Sequence, residues 1–471
     1  MSTPQFTKTQ KGKRKACFEG FYYNFDKVSK SDPALNFWKC EEYDKKGKCK
    51  ARLHINKERV VKRQGEHNHR PDGARQTVLK VVNDIKHDAS TSTATPSSII
   101  MHKTLHVPSN IVAMLPEERS LKKSIQTIRN SEIGAPIEPQ TLGELVLPAR
   151  YQCLHDGTHF LLFDSGAGND RILLFSTEKN IELLAKSECV FSDGTFGSAP
   201  NRLFYQLYTV HAAVMGTVVP LIFALLPNKT FATYDRMCLA ISHFLPPQAC
   251  IKSWMLDFER ATINAVQKNF PSVEVRGCFF HLQQCIWRHI QRLGLVTAYR
   301  ERDGKFALSA KSLAALAFVP VPDVYAAFTE LLSSSSFDPR MDEVVEYFEN
   351  TWIGRLSALG SRQDPIFEVQ LWNVYERTKN GEYRTNNNVE GWHRRFQSVL
   401  QCSNPTIFKC IDAIKMEQKR YEDVIARLNS GESPPPQRKR YKEANVRIER
   451  IVNSYNGHDF VTYLHGLSQN F

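Results

Sequence analysis

The sequence predicts an α/β protein: a mixed β-sheet with a helical insertion, preceded by a small β-rich zinc-binding domain. Three observations predict it. Two mostly apolar runs deliver acids at their ends, CVFSDGTF (Cys189–Phe196) and IKSWMLDFE (Ile251–Glu259), and a later polar stretch, NNNVEGWH (Asn386–His393), brings another. Three consecutive strand-like runs then give way to alternating strand and helix patterns, which imply an antiparallel meander joined to parallel neighbours. Near the N-terminus, cysteines and histidines stand in a block too short to fold easily on its own core.

The chain of 471 residues, 42% hydrophobic, is long enough for several domains with a sizeable core. Its formal charge of +13 favours a polyanionic partner, most often nucleic acid. No run approaches the roughly 20 apolar residues of a membrane span, so no membrane partner is expected. The 11 cysteines are scattered, which suits reduced thiols and a few metal ligands better than a disulfide framework.

In chain order, residues up to about Lys15 are polar and basic and read as a disordered tail. Residues 16–72 form the β-rich block. Residues 73–104, with DASTSTATPSS at Asp88–Ser98, have little to bury and read as a linker. Helical spacing over LPEERSLKKSIQTIRN marks 105–150 as a helical region, with Pro116 suited to a first turn. Residues 151–430 are the main domain. There HFLLFD and RILLFS flank the turn-forming SGAGND as a hairpin, and CVFSDGTF, LFYQLYTVHAAV and VVPLIFALL follow as strands. TFATYDRMCLAISHFL and RATINAVQKNF are spaced as helices around the strand IKSWMLDF, and VEVRGCFF is a further strand. A helical insertion spans about 296–385, and a helix follows in which Asn386–Asn388 can cap a turn carrying Glu390, Trp392, His393 and Phe396. Residues 431–471 read as a tail. The basic clusters KGKRK (Lys11–Lys15) and QRKR (Gln437–Arg440) suit nuclear import, and a nuclear location is the expectation.

In the N-terminal block, Cys40, Cys49, His67 and His69 supply two thiolates and two imidazoles, a closed set for structural Zn²⁺. His67-Asn68-His69 alternates, which puts both rings on one face of an extended chain. Zinc would contribute on the order of 10 kcal/mol to a block that otherwise lacks a core. Lysines and arginines dense from Lys45 to Arg70, interleaved with aromatics, suit DNA phosphates, with protein contact the alternative. The block resembles a FLYWCH zinc finger, with Phe21, Tyr22, Trp38, Cys40, Cys49 and the His67–His69 pair at the expected places. Its leading FEGFYYN is looser than that family's pattern.

Acids at strand ends have a use in phosphoryl transfer, where hard divalent cations about 4 Å apart stabilise the attacking and leaving oxygens. Carboxylates suit Mg²⁺, and Asp193 and Asp257 would be joined by Glu390 from a neighbouring helix. Taken singly, Asp193 before Gly194 also suits a turn, Asp257 an N-cap, and Glu259 a helix dipole; Glu259 is the reserve acid. The run from FSDGTF through MLDFERATINAVQKNFPSVEVRGCFFHLQQCIWRHIQRLGL to NNNVEGWHRRFQ resembles the transposase domain of Mutator-like elements over roughly Leu161–Leu428. The resemblance implies a ribonuclease H-like fold and a DDE triad of Asp193, Asp257 and Glu390 holding Mg²⁺ or Mn²⁺. It assigns Cys278 and His281 to an extra CxxH motif and His393 to the EGWH stretch. It also implies a DNA transposase that binds the terminal inverted repeats of its element, cuts, joins the ends to target DNA, and self-associates. The competing expectation is a domesticated DNA-binding or chromatin factor that does not cut.

Overall fold

The computed structural model describes every residue except 1–2, 9–13, 45–47, 93, 133–135, 137, 303, 358–359 and 435–438, and leaves the side chains of 76 and 130–132 undescribed. The chain divides into two compact units, Met1–Pro136 and Ile137–Phe471.

In the first unit β1 (Gln5–Lys8), β2 (Arg14–Phe18), β3 (Phe21–Val28), β4 (Leu35–Cys40), β5 (Arg52–Asn56) and β6 (Arg59–Gln64) pair antiparallel in sequence order. The hairpin turns Glu19-Gly20 and Lys57-Glu58 place both residues at positive φ, the turn whose twist matches that of the strands it joins. One face of the sheet gathers Phe18, Tyr23, Trp38, Leu53 and Ile55 into a small core. Two expectations fail here. The N-terminal stretch is not wholly a tail, because Gln5–Lys8 is an edge strand whose Phe6 ring lies 5.7 Å from Trp38. Residues 73–104 are not a linker, because Gly73–Thr91 and Pro96–Thr104 are helices. Val81, Ile85 and Ala89 recur four residues apart and pack with Ile99, Ile100, Leu121 and Ile125, a stripe hidden among polar neighbours. Of the proposed import clusters, Lys11–Lys13 and Gln437–Arg438 lie outside the described residues. Lys15 is buried on β2 in an ion pair with Glu41, 2.7 Å away, and so is not a free import determinant.

In the second unit β7 (Leu161–Asp164), β8 (Leu173–Phe175), β9 (Cys189–Thr195), β10 (Gln206–Val214), β11 (Thr217–Leu226), β12 (Ser253–Leu256) and β13 (Glu274–Gly277) form one sheet. Its spatial order is β13-β12-β9-β10-β11-β8-β7. β9, β10 and β11 run antiparallel, whereas β12 and β13 run parallel to β9, as the switch from meander to alternating pattern requires. β10 and β11 are almost wholly buried because both faces are covered. The helices Phe231–Phe244 and Arg260–Asn269 pack Tyr234, Met237, Ile241 and Ile263 on one face. Asn387–Leu400 and Ile407–Asn429 pack Trp392, Phe396, Ile411 and Ile414 on the other. A separate helical core is built on Phe279–Arg292, Lys305–Ala315 and Val324–Ser333. The C-terminal stretch is not a tail. Its helices Lys439–Asn453 and Phe460–Ser468 bury Ile448, Val452, Leu464 and Leu467 in that same core, and the Tyr463 hydroxyl donates to the Phe318 carbonyl at 2.5 Å. Charge density in KRYKEANVRIER masked those apolar positions.

Candidate functional site

The finger's ligands converge. Cys40 Sγ lies 3.1 Å from His69 Nε2, Cys49 Sγ 3.4 Å from His67 Nδ1, and the two ring nitrogens 3.2 Å apart. A tetrahedral Zn²⁺ site with Zn–S of about 2.3 Å and Zn–N of about 2.05 Å needs edges of about 3.5 Å, so the residues fit that ion. The remaining ring nitrogens are held by other groups: Tyr23 Oη sits 2.6 Å from His67 Nε2, and the Arg70 carbonyl 3.2 Å from His69 Nδ1. Such partners fix which nitrogen faces a metal. The Phe21 ring stacks on His67 at 3.6 Å. Burial pushes the Cys40 thiol up to about 11 and the His67 imidazole down to about 4, so binding a cation must displace a thiol proton but not a ring proton.

In the second unit the acids meet where the interior strands β9 and β12 run side by side. Asp193 is not at the end of β9 but inside it, opposite Thr209 of β10, and its backbone continues to Thr195. At Gly194 an added Cβ would lie 2.3 Å from Gln206 Oε1, so any side chain there would have to displace Gln206. β12 pairs in register with β9 up to Met255 opposite Phe191, and the same register carried on two residues sets Asp257 beside Asp193. β13 pairs with β12 up to Gly277 opposite Leu256, so Cys278 follows beside Asp257. Glu390 arrives in the first turn of Asn387–Leu400. All three acids line one cavity of about 520 Å³, with Glu259, His281 and His393.

The tightest donor group is Asp193, His281 and Glu390, whose ligand atoms lie within 4.8 Å of one another. Asp257 stands in the cavity but outside that group, its Oδ1 accepting the Glu259 N–H at 3.3 Å. His281 Nε2 lies 3.2 Å from Glu390 Oε1. Burial pushes Asp193 well above the carboxylate range, against the pull of His281 and with the push of Asp257 and Glu390; burial likewise raises Asp257. Burial works against the His281 imidazolium, but Cys278, Glu390 and Asp193 together raise it to about 11. The hydrogen bond from His281 holds Glu390 low. His393, 3.7 Å from Asp193 and buried, is pushed down to about 4. Without a cation, the imidazolium of His281 balances this cluster.

Cys278 does not face the cavity as a donor. Its thiol donates to Asn386 Oδ1 at 3.0 Å, and Asn386, fully buried, stands at the N-cap position of the helix that carries Glu390 without making a side-chain capping bond. The two CxxH residues therefore both reach that helix, one at its cap and one at its acid. Glu259 is pinned by the Tyr234 hydroxyl at 3.2 Å, itself bonded to Gln206. Residues 6–69 match the family model of the FLYWCH zinc finger domain, and residues 189–285 match that of the MULE transposase domain. The chain thus carries one stretch similar to a FLYWCH zinc finger and another similar to a MULE transposase domain. These domains suggest DNA binding and a transposase-type nuclease. No curated protein matches the chain.

The reading of the sequence missed the cations of the transposase domain's cavity: Lys229, Arg288 and Arg394 line it with the acids. Two of them carried a signal. Arg288 follows His281 by two helical turns and Arg394 follows Glu390 by one, so each shares a helix face with an acid-site residue.

Proposed function

We propose that this protein is a DNA transposase in which Asp193, Asp257 and Glu390 hold divalent cations for strand cleavage and transfer, on a ribonuclease H-like scaffold. The observation that carries this reading is one cavity in which acids from β9, from the end of β12 and from a helix converge beside cationic side chains. An antiparallel β9-β10-β11 with β12 and β13 parallel to β9 supports the scaffold assignment. The donors fit Mg²⁺ or Mn²⁺: they are hard carboxylate oxygens, and burial raises Asp193 and Asp257, a charge arrangement that a cation relieves. Bound there, the ions would activate the attacking oxygen and stabilise the leaving one.

The chain's own residues do the rest. Lys229, Arg288 and Arg394 draw the phosphodiester into the cavity, where low dielectric strengthens their hold. Cys278 and Asn386 fix the height of Glu390 along the sheet. His281 holds a proton against Glu390. The finger binds the element's terminal inverted repeats, and the protein works in the nucleus as an oligomer on element and target DNA.

The test incubates the full chain with labelled duplexes carrying the repeats that flank its gene, with Mg²⁺ or Mn²⁺. Cleavage by the native chain, absent from Asp193→Asn, supports the reading. Binding without cleavage under every condition makes the protein a DNA-binding factor on the same scaffold.

A further inference from the structure

The face of the finger's sheet opposite its core is built across strands in rows. By the pairing register, Lys27 of β3, Phe37 of β4, His54 of β5 and Lys62 of β6 stand side by side. The next row on the same face sets Lys39 beside Arg52. The aromatic pair lies at the centre, Phe37 and His54 edge to face at 4.6 Å, and the Lys27 ammonium lies 6.0 Å over the Phe37 ring. None of these side chains belongs to the finger's core, and Lys27 and Lys62 are exposed. Nor are they zinc donors: the histidines and cysteines of that cluster are Cys40, Cys49, His67 and His69.

We propose that this face binds single-stranded DNA, with unpaired bases stacking on Phe37 and His54 and phosphates meeting Lys27 and Lys62. Width decides against a duplex. Four strands spaced about 4.8 Å apart put the outer Cα atoms of the first row about 14 Å apart, before side chains are added. The major groove is only about 12 Å wide, so this face laid flat is wider than the groove. A paired duplex also offers base edges rather than base faces, and ring stacking on a sheet needs the latter.

The charges point the same way. Arg52 is paired with Asp26 at 3.0 Å and Lys39 with Asp44 at 2.7 Å, so only Lys27 and Lys62 are uncompensated among the described residues of the face. Burial and nearby Lys62 keep His54 below its ordinary value, which leaves it a neutral ring at pH 7 and not a further cation. Two phosphate contacts give a shallow salt dependence, a log–log slope of about −1.4 for a single strand. The assignment goes beyond cleavage and holds whether or not the carboxylates cut.

The test uses the full zinc-loaded chain without added Mg²⁺ and a short oligothymidylate, alone and annealed to its complement. Anisotropy should show tighter binding to the single strand, and Phe37→Ala with His54→Ala should weaken it between about fivefold and about a hundredfold. Phe37→Trp should restore binding, and zinc content should stay unchanged in every variant. Oligothymidylate bearing 5-iodouracil should crosslink under near-ultraviolet light to the peptides of β4 and β5. Equal or tighter binding of the duplex, crosslinks confined to Ile137–Phe471, or alanine variants that bind the single strand like the native chain would each overturn the proposal. An RNA oligomer that outcompetes the DNA strand would overturn the assignment to DNA. None of these readouts depends on cleavage, so their failure is distinct from failure of the transposase reading.

Discussion

Replacing His281 by glutamine removes the one strongly basic group buried among the acids while keeping a similar shape. This imidazole sits 3.2 Å from Glu390 and is raised from 6.5 to about 11. A shift of that size alone corresponds to about 6 kcal/mol at 1.36 kcal/mol per unit. The stability at stake is smaller, because Asp193 and Asp257 are themselves pushed up by burial and take protons when His281 is lost. Breaking a buried pair typically costs about 3–5 kcal/mol, and the low end of that range, about 3 kcal/mol, is the expectation here. The sign with pH follows from the direction of the shift. A histidine with a raised folded pKa contributes fully below its unfolded value of about 6.5, and the contribution declines progressively as pH rises from there to the folded value. Between about pH 7 and about pH 9 the native chain's advantage over His281→Gln should therefore shrink gradually without vanishing. The assay is urea denaturation of the second unit, followed by tryptophan fluorescence across that pH range, with and without Mg²⁺. Mg²⁺ should narrow the gap, since a bound cation compensates the same carboxylates. A gap that collapses between about pH 6 and about pH 7.5, as an ordinary histidine contact would, refutes the reasoning.

Other expected outcomes follow from the same geometry. Cys49→Ser should lose the finger's zinc and the β2–β6 sheet while leaving the second unit's melting unchanged, as read by metal content and separate thermal transitions. Glu390→Gln should abolish cleavage with DNA affinity retained, whereas Glu259→Gln, whose acid is already engaged by Tyr234, should cut within about tenfold of the native rate; the reverse pattern in a gel assay would make Glu259 the third ligand. Gly194→Ala should lower stability by about 1–3 kcal/mol, because the new methyl displaces buried Gln206 from Tyr234; a melting temperature equal to the native one would show that Gln206 yields freely.

The sheet of the second unit was legible because its signals are local. Apolar runs of strand length and turn residues between them predict β7 to β13, and the alternation after Pro227 predicts the parallel pair β12 and β13. Asp193 and Asp257 were legible through their expected placement at strand ends, although Asp193 sits within its strand, whereas Glu390, on a helix, was singled out mainly by the family resemblance. What the sequence hid depends on partners far along the chain. His281 as the charge balance of Glu390 lies 109 residues from it, and no periodicity reports such a pair. The helices of 73–104 and 431–471 were hidden for another reason: their buried positions are few and spaced among charges, so composition outweighed the i, i+4 stripe that packing uses.

The same distance bears on why Cys278 is where it is. Between Cys278 and Asn386 the chain leaves the sheet, builds a helical core and returns, a separation of 108 residues closed by the thiol contact at 3.0 Å. A second clamp closes beside it, where the Phe279 N–H donates to the Arg384 carbonyl at 3.0 Å. Closing a long loop costs only slowly more as it lengthens, about 0.6 kcal/mol per doubling, so this excursion can change in size at little thermodynamic cost provided its ends stay joined. The helix Phe279–Arg292 makes the excursion useful as well as tolerable. It presents His281 and Arg288 to the acid cavity while burying Leu282, Ile286 and Ile290 in the helical core. A shift of that core would therefore move His281 relative to Glu390. The helix of Glu390 packs Trp392 and Phe396 on the sheet that carries Asp193, so the acids share one support, whereas His281 rides on a helix whose apolar side belongs to the helical core.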